Sequence, residues 1–579
     1  MPACRTAFPA YLMSLRGILF FVSILLTPLA VEAEDTGPLL IQQRLEQLYF
    51  EEQDKVGQEP IYAASYLLDL YRKNQFQLLW TSQDNISQLL AAIITSAEEG
   101  LIPDDYHLKA ITRQGNELKE AAASSIAKMV EYDLLLSDAL VLLGQHKRYG
   151  KVDPREVEEK HNLEPAVPRV SPSDIYLTAI KTGTVRMTLD KRSPDHQAYL
   201  NLKQALNQYR QIASKGGWQQ VPSGPSLKPG MRDDRVAAMR KRLTITGDYP
   251  YKASSDPAFF DDNLAAAVKS FQTRHHLEPD GFVGKTAINA MNVSVADRIN
   301  QIRVNMERTR WVIHDMPSSS LIVDIAGFRL QYYHQNKLTW SSKVMVGQPF
   351  HQTPVFRSAV TYLVLNPTWT ITPDIVKNET VPSIIKDKNY LQKQRLRILD
   401  GSGAEVNPTS IPWNQYLGKH FPYTLRQDSG IDNSLGLIKF IFPNTYHVYL
   451  HDTPSKSLFG RTQRAFSHGC IRMQNPLELG KMIISNDPGN PTNGEKFDQI
   501  IASGKTTTVI LKQPLPIFLM YLTTNVQDGV VLFKPDLYNR DQGISDALNR
   551  PSSHLEQMEQ PLEIKGQSST MTDKYQKAI

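Results

Sequence analysis

The stretch AFSHGCIRM at residues 465–473 sets a thiol, Cys470, two positions after an imidazole, His468, with Gly469 between them. Upstream, YHVYLHD carries two more imidazoles, His447 and His451, followed by the carboxylate of Asp452. A thiol at its ordinary pKa of ~8.5 is mostly protonated at neutral pH, and a neighbouring base turns it into a nucleophile. The chemistry open to these residue types is therefore covalent acyl transfer through sulfur. Two imidazoles compete for the role of base. His468 is held close by sequence, whereas His451 would come from another strand and meet Cys470 across a sheet. Gly469 leaves one side of the cysteine open and allows backbone angles that other residues avoid. N–H groups around Gly469 and Cys470 become candidate donors to a tetrahedral oxyanion, worth ~2.7–4 kcal/mol per donor where measured.

These groups need a sheet to hold them. If residues 446–451 form a strand, His447, Tyr449 and His451 share one face and Val448 and Leu450 the other. The aliphatic pair then packs a core while Tyr449 and His451 face an open site. His447 and His451 are also spaced i,i+4, as in helical zinc sites, but the glutamate expected after the first histidine is missing. The aromatic and β-branched filling argues against a helix there as well. No metal and no organic cofactor is expected. Free cysteines are commonly buried and inert; the polar flank of Ser467 and His468 sets this one apart. Asn475-Pro476 predicts a helix start, but residues 471–474 separate it from the thiol, so its dipole is not credited with activating Cys470.

The elements around this site predict an α+β multidomain chain. Residues 38–219 read as a helical scaffold: NISQLLAAIITSAEEG has helical apolar spacing after a possible cap at Asn85, and VEYDLLLSDALVLLGQ reads as a buried helix. Asp104, Asp105 and His107 suggest a capped helix start rather than a metal cluster. PSGPSLKPG at residues 222–230 is a linker. Residues 226–292 form a small three-helix module, with its first helix capped at Asp233/Asp234. His275 and His276, being adjacent, face different directions and are expected to be solvent-exposed. A connecting helix follows in residues 293–317. Residues 318–540 turn strand-like, with β-branched and aromatic alternation, interrupted by a helical insertion at 373–433 placed as a lid. The polar tail, 541–579, is expected to be disordered.

The chain has 579 residues, 41% hydrophobic and 21% charged, with a formal charge of +5. That balance supports ordinary globular cores and shows no basic stripe of the kind nucleic-acid binders carry. Arg5 and Arg16 precede the apolar run at residues 17–30 and the small-residue site Val31-Glu32-Ala33. This is the pattern of a signal peptide over residues 1–33, and the run is short against the ~20 residues of a membrane span. Export to the periplasm is expected, with an uncleaved inner-membrane anchor as the alternative and no membrane span after cleavage. Cleavage would remove Cys4, one of only two cysteines, and leave Cys470 without an intrachain partner.

Two resemblances add to this reading. Phe271, Gln272, Leu277, Asp280, Gly281, Gly284 and Thr286 match the F-Q-x-x-x-x-L-x-x-D-G-x-x-G-x-x-T run of peptidoglycan-binding modules, with DYPYKASSDPAFFDD as a longer insertion between the first two helices. His451, fifteen residues, then Ser467-His468-Gly469-Cys470-Ile471-Arg472 resembles the signature of L,D-transpeptidases with a YkuD-type catalytic domain. EEGLIPDDYH, GKVDP, NPTWTITP, LGLIKF and HDTPSKSLF extend the likeness to the large Gram-negative members over residues 40–540. The resemblance implies Cys470 as nucleophile and His451 as general base, oriented by Asp452 through its backbone carbonyl. Ser467, His468 and Gly469 would shape the oxyanion site, and Arg472 would support the loop or contact substrate. Trp369 and Tyr449 are candidates for lining the groove. It further implies donor and acceptor peptidoglycan tetrapeptide stems as partners, other wall synthases as further ones, 3→3 cross-links as product and acylation by carbapenems. Hydrolysis, lipoprotein anchoring and non-catalytic wall binding are the competing readings.

Overall fold

The computed structural model describes residues 36–50, 53–121, 125–157, 161–162, 171–250, 256–314 and 316–555. The signal segment expected at 1–33 lies outside the described residues, as does the tail beyond 555. Among the described residues, no helix is long and apolar enough to cross a membrane.

The N-terminal region is helical apart from one short hairpin, β1 (Lys55–Val56) with β2 (Glu59–Pro60). Its central helix, Ile126–Tyr149, opens on Ser125, whose Oγ accepts from the Lys128 N–H. That helix is buried nearly all round, as its near-continuous apolar sequence requires when neighbours pack on every side. The helix Gln83–Thr95 is capped by Ser82 rather than Asn85. Asn85 lies inside the first turn, buried, and its amide donates to the Ile180 carbonyl instead. Asp104 and Asp105 do not cap the next helix either. They sit on a 3₁₀ turn, Pro103–Tyr106, where Asp105 pairs with Lys151, and His107 Nε2 bonds Asp138 at 2.8 Å.

The small module has helices Arg235–Ile245, Asp262–Arg274 and Lys285–Asn292 around its own core of Leu264, Val268 and Phe271. Asp234 precedes the first helix without a side-chain bond, and Asp233 accepts from the Arg235 N–H. The Gln272 amide group donates to Asp280 and accepts from Gly281 N–H, both at 2.8 Å, so these motif residues close the module's turn. Gly281 needs its φ of +79° there. His275 is a correction to the expectation of solvent exposure. It is buried, its ring stacked on Phe271 and 5.7 Å from Phe533 of the catalytic region. His276 is half-buried. The two rings do diverge, but one of the directions is a domain interface.

One helix, Val295–Ile313, joins everything. Ser294 caps it through the Asp297 N–H. Arg310 donates to Glu307 and Tyr199 on its scaffold side, while Asn305 exchanges bonds with Thr523 and Arg308 pairs with Asp541 on the other. Its charges are buried and mutually paired, as burial demands.

The catalytic region is a mixed sheet that closes on itself. In addition to β3 (His161–Asn162), it uses β4 (Ser320–Asp324), β5 (Arg329–His334), β6 (Lys337–Gly347), β7 (Val355–Leu365), β11 (Ile438–Ile441), β12 (Leu450–His451), β13 (Ala465–Ser467), β14 (Ile471–Met473) and β15 (Thr507–Met520). The order β11-β12-β14-β6-β5-β4-β15-β7 returns to β11, which also pairs β7. Closure removes edges, and the apolar faces fill the interior. Between β7 and β11 stands a cap: β8 (Trp369–Thr370), β9 (Leu396–Leu399) and β10 (Thr424–Gln427) in the order β8-β10-β9, with short helices and a separate core. The cap therefore carries a sheet as well as the expected helices, and its first strand precedes residue 373. A hairpin of β16 (Thr524–Gln527) and β17 (Val530–Phe533) follows β15.

The expectation of a disordered tail from residue 541 is corrected over its first part. Asp541–Asn549 is a helix whose Ile544 and Leu548 are buried against the catalytic core.

Candidate active site

The strand expected at 446–451 is shorter than predicted. His447 takes a φ of +56°, outside the strand region, and the regular pairing is confined to β12. The alternation holds even so. Val448 and Leu450 are buried in the core, and Tyr449 is half-buried on the other face. β12 runs parallel to β14 with Leu450 opposite Ile471 and His451 opposite Arg472, and the Ile471 N–H donates to the Tyr449 carbonyl. Leu450 and Ile471 both point into the core at 0% exposure. With period-two alternation, Tyr449, His451, Cys470 and Arg472 then share the outer face. This register brings together residues nineteen and more positions apart in sequence.

His451 is buried, and its Nδ1–H donates to the Asp452 carbonyl at 2.5 Å. A carbonyl only accepts, so Nδ1 carries the proton and Nε2 keeps its lone pair. Burial, aided by the positive charges of Arg472, Lys439 and Lys456, drives the His451 pKa down to about 3, against the pull of the Asp452 carbonyl. The imidazole is neutral at physiological pH. Asp452 thus acts through its backbone, and its carboxylate has other work. It accepts from the Leu437 N–H at 2.9 Å and pairs with Lys456. Gly436, at φ +59°, leaves the carboxylate room: a Cβ there would stand 2.3 Å from it.

Cys470 is half-buried, with Sγ 3.8 Å from the His447 carbonyl. Burial pushes its thiol above the usual cysteine value, and the bonds from Tyr449 and the charges of Arg472 and Lys439 offset this only in part. The resting pair is therefore thiol and neutral imidazole, not thiolate and imidazolium. A nucleophile in this state needs a base at the moment of attack.

The loop before the cysteine is fixed by its own polar groups. Ser467 Oγ donates to the Cys470 carbonyl at 2.5 Å and accepts from the Gly469 N–H at 3.2 Å. Gly469, at φ +110°, adopts the backbone angle that the sequence suggested a glycine would allow. Its N–H, engaged by Ser467, is not available to an oxyanion. The Cys470 N–H has no hydrogen-bond acceptor among the described residues and is the donor that remains. His468 turns its ring toward the cap, with Nε2 2.5 Å from Glu379.

Two contributors escaped the sequence reading. Thr353, fully buried, donates from Oγ1 to the Gly469 carbonyl at 2.8 Å and accepts from the Gly347 N–H at 2.9 Å. The peptide is trans, so holding the Gly469 carbonyl on one side aims the Cys470 N–H at the other. Tyr538 supports Thr353, donating to the Gly347 carbonyl at 2.6 Å and accepting from the Thr353 N–H. Lys439, opposite His451 on β11, lies with Nζ 5.7 Å from the centre of the Tyr449 ring. A threonine inside HQTP and a lysine inside LGLIKF carry no motif of their own; only the register exposes them. Trp369 packs, half-buried, against the core of the cap, and no hydrogen bond or ring contact joins it to Tyr449, His451 or Cys470 among the described residues. Nor do the described residues bring three or more His, Cys, Asp or Glu together as a metal site.

Comparison with known proteins agrees with this geometry. Residues 318–491 match the family model of the L,D-transpeptidase catalytic domain, YkuD. Residues 232–291 match one described as "Putative peptidoglycan binding domain", and residues 65–206 match the Scaffold domain. A Haemophilus influenzae protein named "Putative L,D-transpeptidase" is 34% identical over 245 residues, covering 42% of this chain and 49% of that one. The chain thus spans about half the length of the curated relative it matches. Among solved structures, the catalytic domain of the E. faecium L,D-transpeptidase acylated by ertapenem is 12% identical, covering 36% of this chain and 99% of that one, at a TM-score of 0.17. The L,D-transpeptidase from Mycobacterium smegmatis is 13% identical over 35% and 58%, at 0.18. Nothing is drawn from likenesses at such scores. The catalytic sheet, its thiol and its imidazole lie in a YkuD L,D-transpeptidase catalytic domain, carried on one chain with a peptidoglycan-binding domain and a scaffold domain.

Proposed function

We propose that this protein is a periplasmic cysteine acyltransferase that forms 3→3 cross-links between peptidoglycan stem peptides. The observation that carries the reading is the β12–β14 register, which sets Cys470 and a neutral His451 on one outer face. The peptidoglycan-binding domain supports the wall polymer as the substrate.

In this reading His451 Nε2 takes the thiol proton as Sγ attacks the carbonyl of the third residue, meso-diaminopimelate, in a donor tetrapeptide. The Cys470 N–H stabilises the oxyanion. Collapse breaks the amide, and His451 returns the proton to the departing D-alanine nitrogen, leaving a thioester on Cys470. The side-chain amine of diaminopimelate on a second stem then attacks, losing its proton to His451. The new amide forms and the thiol is regenerated. Two easier steps replace one hard one, and no cofactor takes part. A carbapenem would be attacked by the same sulfur.

The test is to incubate the purified protein with disaccharide-tetrapeptide and weigh the products by mass spectrometry. A dimer lacking one D-alanine is expected. Tripeptide alone would make the protein a hydrolase, and unchanged substrate would refute both.

A further inference from the structure

Lys439 has the setting of a ligand-binding cation. On β11, Ile438 and Phe440 face the core at 0% exposure, so Lys439 faces outward beside the site. It pairs in register with His451, which pairs in turn with Arg472, so the three stand side by side across β11, β12 and β14. Among the described residues no carboxylate lies within ion-pair distance of Lys439 or Arg472, whereas nearby Lys456 is paired with Asp452. Arg472 Nε is buried without a hydrogen-bond partner. Burial lowers the Lys439 and Arg472 values, and only the charges of the site itself, Cys470 and Tyr449, oppose this. A half-buried cation left without an anion carries an uncompensated desolvation cost that a bound carboxylate would offset.

We propose that Lys439 binds the carboxylate of the residue expelled from the donor stem and so selects donors with a free C-terminus. This rests on the function proposed above. Strand order identifies which carboxylate. His451 hands its proton to the leaving nitrogen, and an amino-acid carboxylate lies two bonds from that nitrogen. Lys439 stands one strand beyond His451, away from the thiol's strand, on the side of the leaving group. Arg472, beside Cys470 on β14, stands on the opposite side. The contact ends when the expelled residue departs, so it favours acylation without holding the acceptor.

Three donors test this: the disaccharide-tetrapeptide, its C-terminal carboxamide, and the tetrapeptide amidated on the diaminopimelate side-chain carboxyl. Leaving-residue release and the Cys470 adduct are followed for wild type, Lys439→Gln and Lys439→Arg. Loss of one charge-assisted bond should lower kcat/KM of Lys439→Gln on the free acid about 10- to 100-fold. Wild type should show a similar drop on the carboxamide, Lys439→Gln should not distinguish the two donors, and Lys439→Arg should recover most of the preference. Cys470 alkylation by neutral iodoacetamide should keep its pH profile in Lys439→Gln. A Lys439→Gln enzyme that prefers the free acid as wild type does overturns the proposal alone. Equal slowing on every donor with a shifted alkylation profile does so too, because Lys439 would then act on the thiol. Lost discrimination only against the diaminopimelate amide moves the contact to the other carboxylate and overturns the assignment. Wild type that forms no Cys470 adduct with any donor overturns the function reading, and this proposal with it.

Discussion

Replacing Thr353 with valine keeps the shape of a fully buried side chain and removes one hydroxyl. Two groups lose their partner: the Gly469 carbonyl at 2.8 Å and the Gly347 N–H at 2.9 Å. At ~1–3 kcal/mol for each buried group left unpaired, the folded protein should lose about 2–5 kcal/mol. Tyr538 still holds the Gly347 carbonyl, so the loop stays in place. The Gly469–Cys470 peptide is then held only from the Ser467 side, and the Cys470 N–H is no longer fixed toward the oxyanion. Full loss of such a donor costs ~10²–10³ in rate, so a misaimed one should slow acylation of Cys470 by about 10- to 100-fold. Acylation by disaccharide-tetrapeptide or a carbapenem, timed by intact-protein mass spectrometry, measures this. Alkylation by iodoacetamide passes through no oxyanion and should stay near the wild-type rate, which separates positioning from general damage. Thr353→Ser restores the hydroxyl and should restore acylation. A folded Thr353→Val that acylates at the wild-type rate, or that loses alkylation as severely as acylation, would refute the reasoning.

The buried His451 predicts a slope of stability with pH. Its folded value of about 3 lies below the ordinary 6.5, so the unfolded chain binds the proton first. The contribution is complete above pH 6.5 and is lost as pH falls toward 3; between pH 7 and 4.5 that is about 3 kcal/mol. Denaturant unfolding of wild type should show the loss, and His451→Gln should lack it. Gly436→Ala should be strongly destabilising, because its Cβ would meet the Asp452 carboxylate at 2.3 Å on a backbone at φ +59°; thermal denaturation reads this, and an unchanged Tm would contradict it. The His468–Glu379 pair is a third to a half exposed, so Glu379→Gln should change unfolding free energy by less than ~1 kcal/mol. A larger loss would mean that this contact holds the cap in place.

What the sequence made legible was local, or set by short-range alternation. Cys470, the backbone freedom of Gly469 and the inward direction of Val448 and Leu450 could all be read from types and spacing. So could the helices of the small module. What stayed hidden depended on partners far along the chain. Thr353 reaches Gly469 across 116 positions, and Lys439 reaches the site only through pairing with His451. His275 looked exposed because Phe533, the ring it faces, belongs to another region. The helix Asp541–Asn549 was masked by a polar composition, although Ile544 and Leu548, four apart, are its buried stripe. The oxyanion donors were narrowed for a similar reason: only the fold reveals that Ser467 Oγ occupies the Gly469 N–H.

The central claim is that Cys470 carries the acyl group. Wild type incubated with disaccharide-tetrapeptide, quenched early in acid and digested, should yield the peptide containing Cys470 heavier by the donor less D-alanine, with the added mass removable by hydroxylamine. Cys470→Ala should show neither the adduct nor D-alanine release. D-alanine release by Cys470→Ala at the wild-type rate, or a wild-type adduct on any other residue, would contradict the account.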